Sequence, residues 1–234
     1  FKGVNLDLIY GLPHQTVESF AKSVKQAIEI SPHRLVTFSY AHVPWVKVAQ
    51  KKLETYGLPN PEEKLAMFDA GMQLLTKAGY VAIGMDHYAK PNDELSIALK
   101  NKKLHRNFQG YATRETTAQV YGFGASSISQ LNGAYIQNLK SLNKYMESVE
   151  AKGFAVERGY EMTDNEIITR DVITNIMCNG YFNFTETANN FNISDKKLKE
   201  ILEFSEDKLK EFIDDDLIKF NGEALEIQNL SLIH

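Results

Sequence analysis

The chain has one cysteine in 234 residues, Cys178, so it cannot close an internal disulfide. That scarcity suits a reducing compartment, and a cytoplasmic protein is expected. Unbroken apolar runs fall far short of the roughly 20 residues a membrane helix needs, so no membrane span is expected. No basic segment followed by an apolar core opens the chain, and no signal peptide is read. Walker, H-E-x-x-H, G-x-S-x-G and multi-cysteine metal spacings are all missing. There is no internal repeat and no low-complexity segment.

What is present is a globular composition, with 43% hydrophobic and 24% charged residues. Thirteen Phe and 11 Tyr support a sizeable core and exclude a disordered chain. Charge is unevenly spread. Residues 1–158 carry 19 basic and 14 acidic side chains, a net of +5, whereas 159–234 carry 7 and 16, a net of −9. The step predicts a domain boundary at 158/159.

Val4 to Tyr10 reads as a mostly buried strand, and a chain opening directly inside a strand is expected to be cut from a longer one. Thr16 is placed to cap a helix whose Phe20, Val24 and Ile28 share one face, ending before Pro32. Leu35 to Val43 reads as a second strand. Asn60-Pro61 opens a helix with Leu65, Phe68, Met72 and Leu75 as its stripe, closed by Gly79. Tyr80 to Tyr88 reads as a third strand, so parallel βα units are expected. Residues 89–118 read as a long polar loop, of the kind that is often functional. Tyr121 to Leu131 predicts a strand interrupted by Gly122 and Gly124, and Leu139, Leu142, Met146 and Val149 mark a helix ending at Gly153.

Beyond residue 159 the pattern changes. Thr163 and Glu166 form a capping-box pair for a helix carrying Ile167, Val172, Ile173 and Ile176. A short helix from Thr185, another from Ser194 to about Ile213, and a hairpin turning at Asn221-Gly222 with a type I′ signal follow. Three helices and a hairpin predict a winged-helix-like domain.

Several residues stand out chemically. Asn5 and Asp7 alternate onto one face of the first strand, near the end where ligands bind in barrels and open α/β sheets. A buried carboxylate needs a cation, donors or a ligand, so Asp7 is either a binding residue or a structural one. Phe38-Ser39-Tyr40-Ala41-His42 leaves room for a planar ligand at the second strand's end, with core packing as the alternative. Adjacent strand residues face opposite ways, so Asp86 and His87 are not expected to form a dyad, and His87 reads as a structural histidine. Arg106, in His105-Arg106-Asn107-Phe108-Gln109-Gly110-Tyr111, offers the planar fork that binds carboxylates. Lys100, Lys102 and Lys103 read as solvated. Gly122-Phe123-Gly124-Ala125-Ser126 reads as a close backbone approach rather than a phosphate cradle, and Cys178 as a small core residue.

Asn5-Leu6-Asp7-Leu8-Ile9-Tyr10-Gly11-Leu12-Pro13 resembles the N/I-D-L-I-Y-G-L-P segment of radical S-adenosylmethionine enzymes. Phe38 to Pro44, Gly84 to Pro91, Asp93-Glu94-Leu95 and His105 to Tyr111 narrow the resemblance to the oxygen-independent coproporphyrinogen III oxidase family. The likeness covers nearly the whole chain and weakens after about residue 180. It implies an α/β architecture: a partial (β/α) barrel of the radical S-adenosylmethionine type, then a mainly helical, winged-helix-like carboxy-terminal domain. It implies oxidative decarboxylation of two propionates of coproporphyrinogen III, two S-adenosylmethionine molecules, a [4Fe–4S] cluster and an electron donor. By motif, Asp7 corresponds to a contact with one S-adenosylmethionine, and Ala41 and Ile128 to contacts with the other, with Phe38 beside them. The family's C-x-x-x-C-x-x-C cluster segment is missing, so this chain alone is expected to hold no cluster and to be inactive. The substrate's carboxylates make Arg106 a substrate contact. Two rivals are a haem-binding chaperone of the same superfamily and a nucleic-acid-binding winged helix. The −9 charge opposes the latter, so no nucleic-acid partner is expected.

Overall fold

The computed structural model describes residues 3–107, 110–113 and 119–228. The backbone divides into two compact units, residues 1–97 and 98–234. The boundary expected at 158/159 falls inside a strand of the second unit, Val156–Glu161. Charge and compactness therefore change at different places along the chain.

In the first unit, strand β1 (Asn5–Tyr10) leads into helix α1 (Val17–Ile30). Thr16 caps α1 as expected, in a reciprocal pair with Ser19. Strand β2 (Arg34–Ser39) lies parallel to β1 and stops four residues earlier than the sequence suggests. A short helix, α2 (Lys51–Glu54), precedes α3 (Pro61–Lys77), which Asn60 caps and Pro61 opens. The expected third strand is instead a hairpin, β3 (Val81–Gly84) and β4 (His87–Ala89), turning at Met85-Asp86. Sheet order is β1-β2-β4-β3, so β4 enters antiparallel between β2 and β3. Among the described residues this sheet is open, and no closed barrel forms.

Helices α1 and α3 cover one face of that sheet. Leu6, Leu8 and Tyr10 meet Phe20, Val24, Ala27, Phe68 and Leu75 there, and Leu35 and Tyr88 join from β2 and β4. Gly71 allows the two helices to close up, because a Cβ on it would lie 3.0 Å from Phe20 Cε1. The α3 stripe departs from expectation at one end. Leu65 is 52% exposed and Met67 takes the buried position.

The described part of the segment read as a polar loop is structured. It holds helix α4 (Glu94–Lys100), which runs across the boundary between units, and the hairpin β5 (Leu104–Asn107)–β6 (Gly110–Thr113). Arg34 pins the start of α4 through Asp93 at 2.9 Å and Glu94 at 2.7 Å. Phe108 and Gln109, part of the motif quoted above, lie outside the described residues.

The second unit continues with a meander of β7 (Ile128–Gln130), β8 (Ala134–Asn138) and β9 (Val156–Glu161), with α5 (Leu142–Lys152) inserted before β9. Of the strand expected from Tyr121 to Leu131 only the last part forms, as β7, to which Val120 adds an isolated bridge at Gln130. Helix α6 (Asp164–Asn179) carries the expected Thr163–Glu166 capping box. Its Val172 is buried, but Ile173 is 55% exposed and Ile168 packs inward instead.

Strand β10 (Tyr181–Asn183), helices α7 (Phe184–Asn190), α8 (Asp195–Ile201) and α9 (Lys210–Asp214), and hairpin β11 (Ile218–Phe220)–β12 (Ala224–Ile227) complete the chain. The sheet β10-β12-β11 is antiparallel throughout, and the expected helices and closing hairpin are present in that order. Helix α7, capped by Asn183, starts one residue before the expected Thr185, and the single helix expected from Ser194 to Ile213 is broken into pieces. Gly222 alone of the turn pair has positive φ, at 92°, so the turn is not type I′. The Asn221 side chain accepts from the Glu223 and Ala224 amides instead.

Candidate functional site

Strand alternation sorts β1 into two faces. Leu6, Leu8 and Tyr10 enter the core, so Asn5, Asp7 and Ile9 face the side that α1 and α3 leave uncovered. Register carries Arg34, Val36 and Phe38 of β2, and His87 of β4, onto that same side. Asp7 is exposed and accepts a 2.6 Å hydrogen bond from Asn5 Nδ2. The burial expected of the Asp7 carboxylate is therefore overturned: it is exposed, with Asn5 as a donor. The alternation was read correctly, but the face it leads to is open. Phe38 is 40% exposed on it, edge-on to His87 with ring centroids 6.2 Å apart.

Asp86 and His87 overturn another expectation. Asp86 sits in the β3–β4 turn rather than in a strand, so alternation does not separate the two side chains. Its Oδ1 lies 2.7 Å from His87 Nδ1. The sequence could have shown this only through the turn, where Met85 adopts positive φ without the usual Gly or Asn.

Beyond β2 the backbone is held by side chains. Tyr40 donates its amide to Tyr10 O at 2.7 Å. Lys64 Nζ reaches Tyr40 O at 2.9 Å, passing over Gly11, whose φ is +83° and whose missing Cβ leaves room for the lysine stem. His42 Nε2 lies 2.8 Å from Glu54 Oε1. Ala41, the expected cofactor contact in this segment, is exposed.

In the second unit, Ile128 is half-buried in β7, opposite Gln137. Gly122 lies against its backbone so closely that a Cβ would sit 2.8 Å from the Ile128 carbonyl. The close-approach reading of that glycine is what the structure shows. Arg106 is exposed on β5, across from Tyr111, with its guanidinium 5.3 Å from that ring. Lys102 is not simply solvated, because Nζ stands 3.3 Å from the centre of the Tyr181 ring. A cavity of about 590 Å³ is lined by Lys102, Tyr181, Asn183 and Thr187 among others, and no expected site residue lines it. Cys178 is buried as expected, at 3% exposure, though Ile173 and Met177 beside it are exposed.

These residues fit S-adenosylmethionine in part. Asp7 is a free-facing carboxylate beside Ile9 and Phe38, a pairing that suits hydroxyl or ammonium groups next to an apolar body. They do not fit an iron–sulfur cluster. Among the described residues no group of three His, Cys, Asp or Glu could hold a metal, and the one cysteine is buried in α6.

No family model matches the chain. Its fold superposes on a solved coproporphyrinogen III oxidase, HemN of Escherichia coli, described as a radical SAM enzyme. The TM-score is 0.90 at 37% identity, over 97% of this chain and 52% of that one. By fold and sequence, then, the chain is a relative of radical S-adenosylmethionine enzymes. More narrowly, it is homologous to the oxygen-independent coproporphyrinogen III oxidases. The Escherichia coli protein of that name is 46% identical over 179 residues, 76% of this chain and 39% of the relative. That of Synechocystis is 42% identical over 193 residues, 82% of the chain and 41% of the relative. That of Helicobacter pylori J99 is 39% identical over 227 residues, 97% and 49%. The chain thus spans about two fifths to a half of the relatives it matches.

Proposed function

We propose that this chain serves the oxygen-independent conversion of coproporphyrinogen III to protoporphyrinogen IX in haem biosynthesis, together with the length its relatives have beyond it. What carries the reading is the joint match, 36–46% identity to oxidases of one name and a TM-score of 0.90 to a solved one. The carboxyl group of each of two propionates would leave as CO₂ and the remaining two carbons become a vinyl, a two-electron oxidation in which one hydrogen atom is removed and one further electron passes to an acceptor. S-adenosylmethionine, when bound, supplies the radical chemistry that removes the hydrogen atom.

The chain's own residues would bind and orient. Asp7 accepts from ribose hydroxyls or the ammonium group of one S-adenosylmethionine. Ala41, with Phe38 beside it, meets the other; the motif match alone assigns Ile128 a cofactor contact, and Arg106 offers two parallel donors to a propionate. The expected partners are the porphyrinogen and an electron donor, and the expected place is the cytoplasm. Among the described residues no helix is long and apolar enough to cross a membrane.

Two measurements test this. Iron analysis and visible absorbance of the isolated chain should find no cluster, and stoichiometric cluster iron would overturn that expectation. In the complete protein, Arg106→Ala should raise the apparent KM for coproporphyrinogen about tenfold, as loss of a charge-assisted pair implies. An unchanged KM removes Arg106 from the site.

A further inference from the structure

We propose that Gln50 is a positioning residue for the S-adenosylmethionine subsite, holding the Ala41 to Val43 backbone in the shape that the cofactor meets. The inference rests on the reading of Ala41 as a cofactor contact. Strand β2 ends at Ser39, and past the Tyr40 amide, which still bonds Tyr10 O, residues 41–43 run on without a strand partner. The Gln50 carboxamide fills that role. Its Oε1 accepts from the Val43 amide at 2.7 Å, and its Nε2 donates to the Ala41 carbonyl at 3.2 Å. A carbonyl and an amide two residues apart are the pair a neighbouring parallel strand would engage, and β2 already lies parallel to β1. One side chain thus extends the sheet's bonding past the strand's end.

Local structure explains how Gln50 gets there. Val46 and Lys47 both donate to Val43 O, at 2.9 Å each, and Gln50 donates its own amide to Lys47 O at 2.8 Å. The chain therefore folds back on itself and delivers position 50 to the residues it left. Lys64 at Tyr40 O and Glu54 at His42 brace the flanking positions, and Gln50 is the brace that reaches Ala41. Ala41 is exposed with only a methyl for a side chain, so a ligand there meets its backbone, whose direction the Gln50 amide sets. A carboxamide suits the task because it carries both a donor and an acceptor, whereas an ionised Glu carries acceptors alone.

The test uses the complete protein, with S-adenosylmethionine as the probe. Gln50→Glu keeps the side chain's size and its acceptor but sets a carboxylate against the Ala41 carbonyl, and Gln50→Ala removes both bonds. Calorimetric affinity for S-adenosylmethionine should fall about tenfold in both variants, the scale of one or two lost hydrogen bonds. KM for S-adenosylmethionine should rise in step while kcat at saturation stays within about twofold, a split that general loss of structure would not give. Amide hydrogen exchange at Val43 should quicken. Unchanged affinity alongside quickened exchange overturns the inference. Ala41→Leu separates the two readings. If it leaves affinity intact, the cofactor reading of Ala41 fails; if it weakens binding while both Gln50 variants bind normally, the positioning role alone fails. Should Gln50→Ala unfold, the near-isosteric Gln50→Glu carries the test by itself.

Discussion

The two units of this chain bury themselves by different means. In the first, two long helices lie along one face of a four-stranded sheet and trap a core of ten buried residues, Phe20, Val24, Leu35 and Leu75 at its centre. In the second, an aromatic core of Phe182, Phe184, Phe204 and Phe220 gathers within residues 164–228. The meander before it is thinly covered: of residues 119–161, Ala155 is the one buried hydrophobic, and every residue of β9 is exposed. Helices over a sheet exclude water through shape. An uncovered meander depends on its ladder and turns, whose hydrogen bonds contribute modestly in water. The expected cofactor residues sit where cover is thin in both units: Asp7 and Phe38 on the open sheet face, Ile128 in the meander.

The contrast is broken most directly by truncating a side chain on each side of it. Phe20 is 1% exposed, 5.4 Å from the Tyr10 ring and in contact range of Gly71. Phe20→Ala should cost about 3–5 kcal/mol in urea unfolding, from lost burial plus the cavity left behind. Met146 on α5 is 49% exposed, so Met146→Ala should cost less than about 1 kcal/mol. Similar losses from the two variants would show that the meander is as tightly packed as the helix-covered sheet.

Alkaline pH should sharpen the same contrast. Burial is the main cause that pushes the Tyr88 hydroxyl up to about 12, with Thr37 opposing through a hydrogen bond, and burial also raises Tyr10 and Tyr80. Tyr160 in the second unit is raised too, but by its hydrogen bond to the exposed Glu166. A tyrosine is neutral when protonated. Below pH 10 neither the folded nor the unfolded state ionises, and the stabilisation is intact. From pH 10 to about 12 the unfolded chain loses the proton while folded Tyr88 keeps it, and stability drains away. The full loss is about 3 kcal/mol for Tyr88, two pH units at 1.36 kcal/mol each. Urea midpoints near pH 9 and pH 11.5 should differ accordingly, and Tyr88→Phe should flatten the difference. Tyr10 and Tyr80 leave a smaller residue of pH dependence in that variant; an undiminished one would take the loss away from Tyr88.

Local signals were the legible part. The caps at Thr16, Asn60 and Thr163 stand where sequence puts them, since each needs only a polar side chain and the amide three residues on. The Phe20–Val24 face was readable because amphipathic period and burial agree in a helix lying on a sheet. The β3–β4 hairpin was not, because its turn uses Met85 at positive φ and the whole span reads as one apolar strand. Helix α4 and the β5–β6 hairpin were hidden by charge. The ion pair that fixes the start of α4, Arg34 with Asp93, joins residues 59 apart in the chain. Asp7 shows the limit at the site itself. Period two gives its face, but whether that face is covered depends on elements other than its own strand.

Gly122 offers the most local effect. Its φ is not in the left-handed region, so the backbone would accept another residue; what forbids it is space. A Cβ would lie 2.8 Å from the Ile128 carbonyl carbon and oxygen and 3.0 Å from its nitrogen, and backbone atoms cannot swing aside as a side chain can. The Gly122 amide also donates to Ser129 Oγ at 2.9 Å, and Val120 and Gln130 exchange amide bonds at 2.9 Å on either side. Gly122→Ala should therefore pry the 120–122 segment off β7 and cost about 1–3 kcal/mol, as overpacking does. Hydrogen exchange should quicken at Val120 and Gln130 before it does at Leu35 in the first unit. Because Ile128 is proposed to touch cofactor, affinity for S-adenosylmethionine in the complete protein should fall with it. Protected amides at 120 and 130 in a fully stable Gly122→Ala protein would mean that the meander yields freely enough to absorb a methyl, and the thinly covered unit would then be the more adaptable of the two.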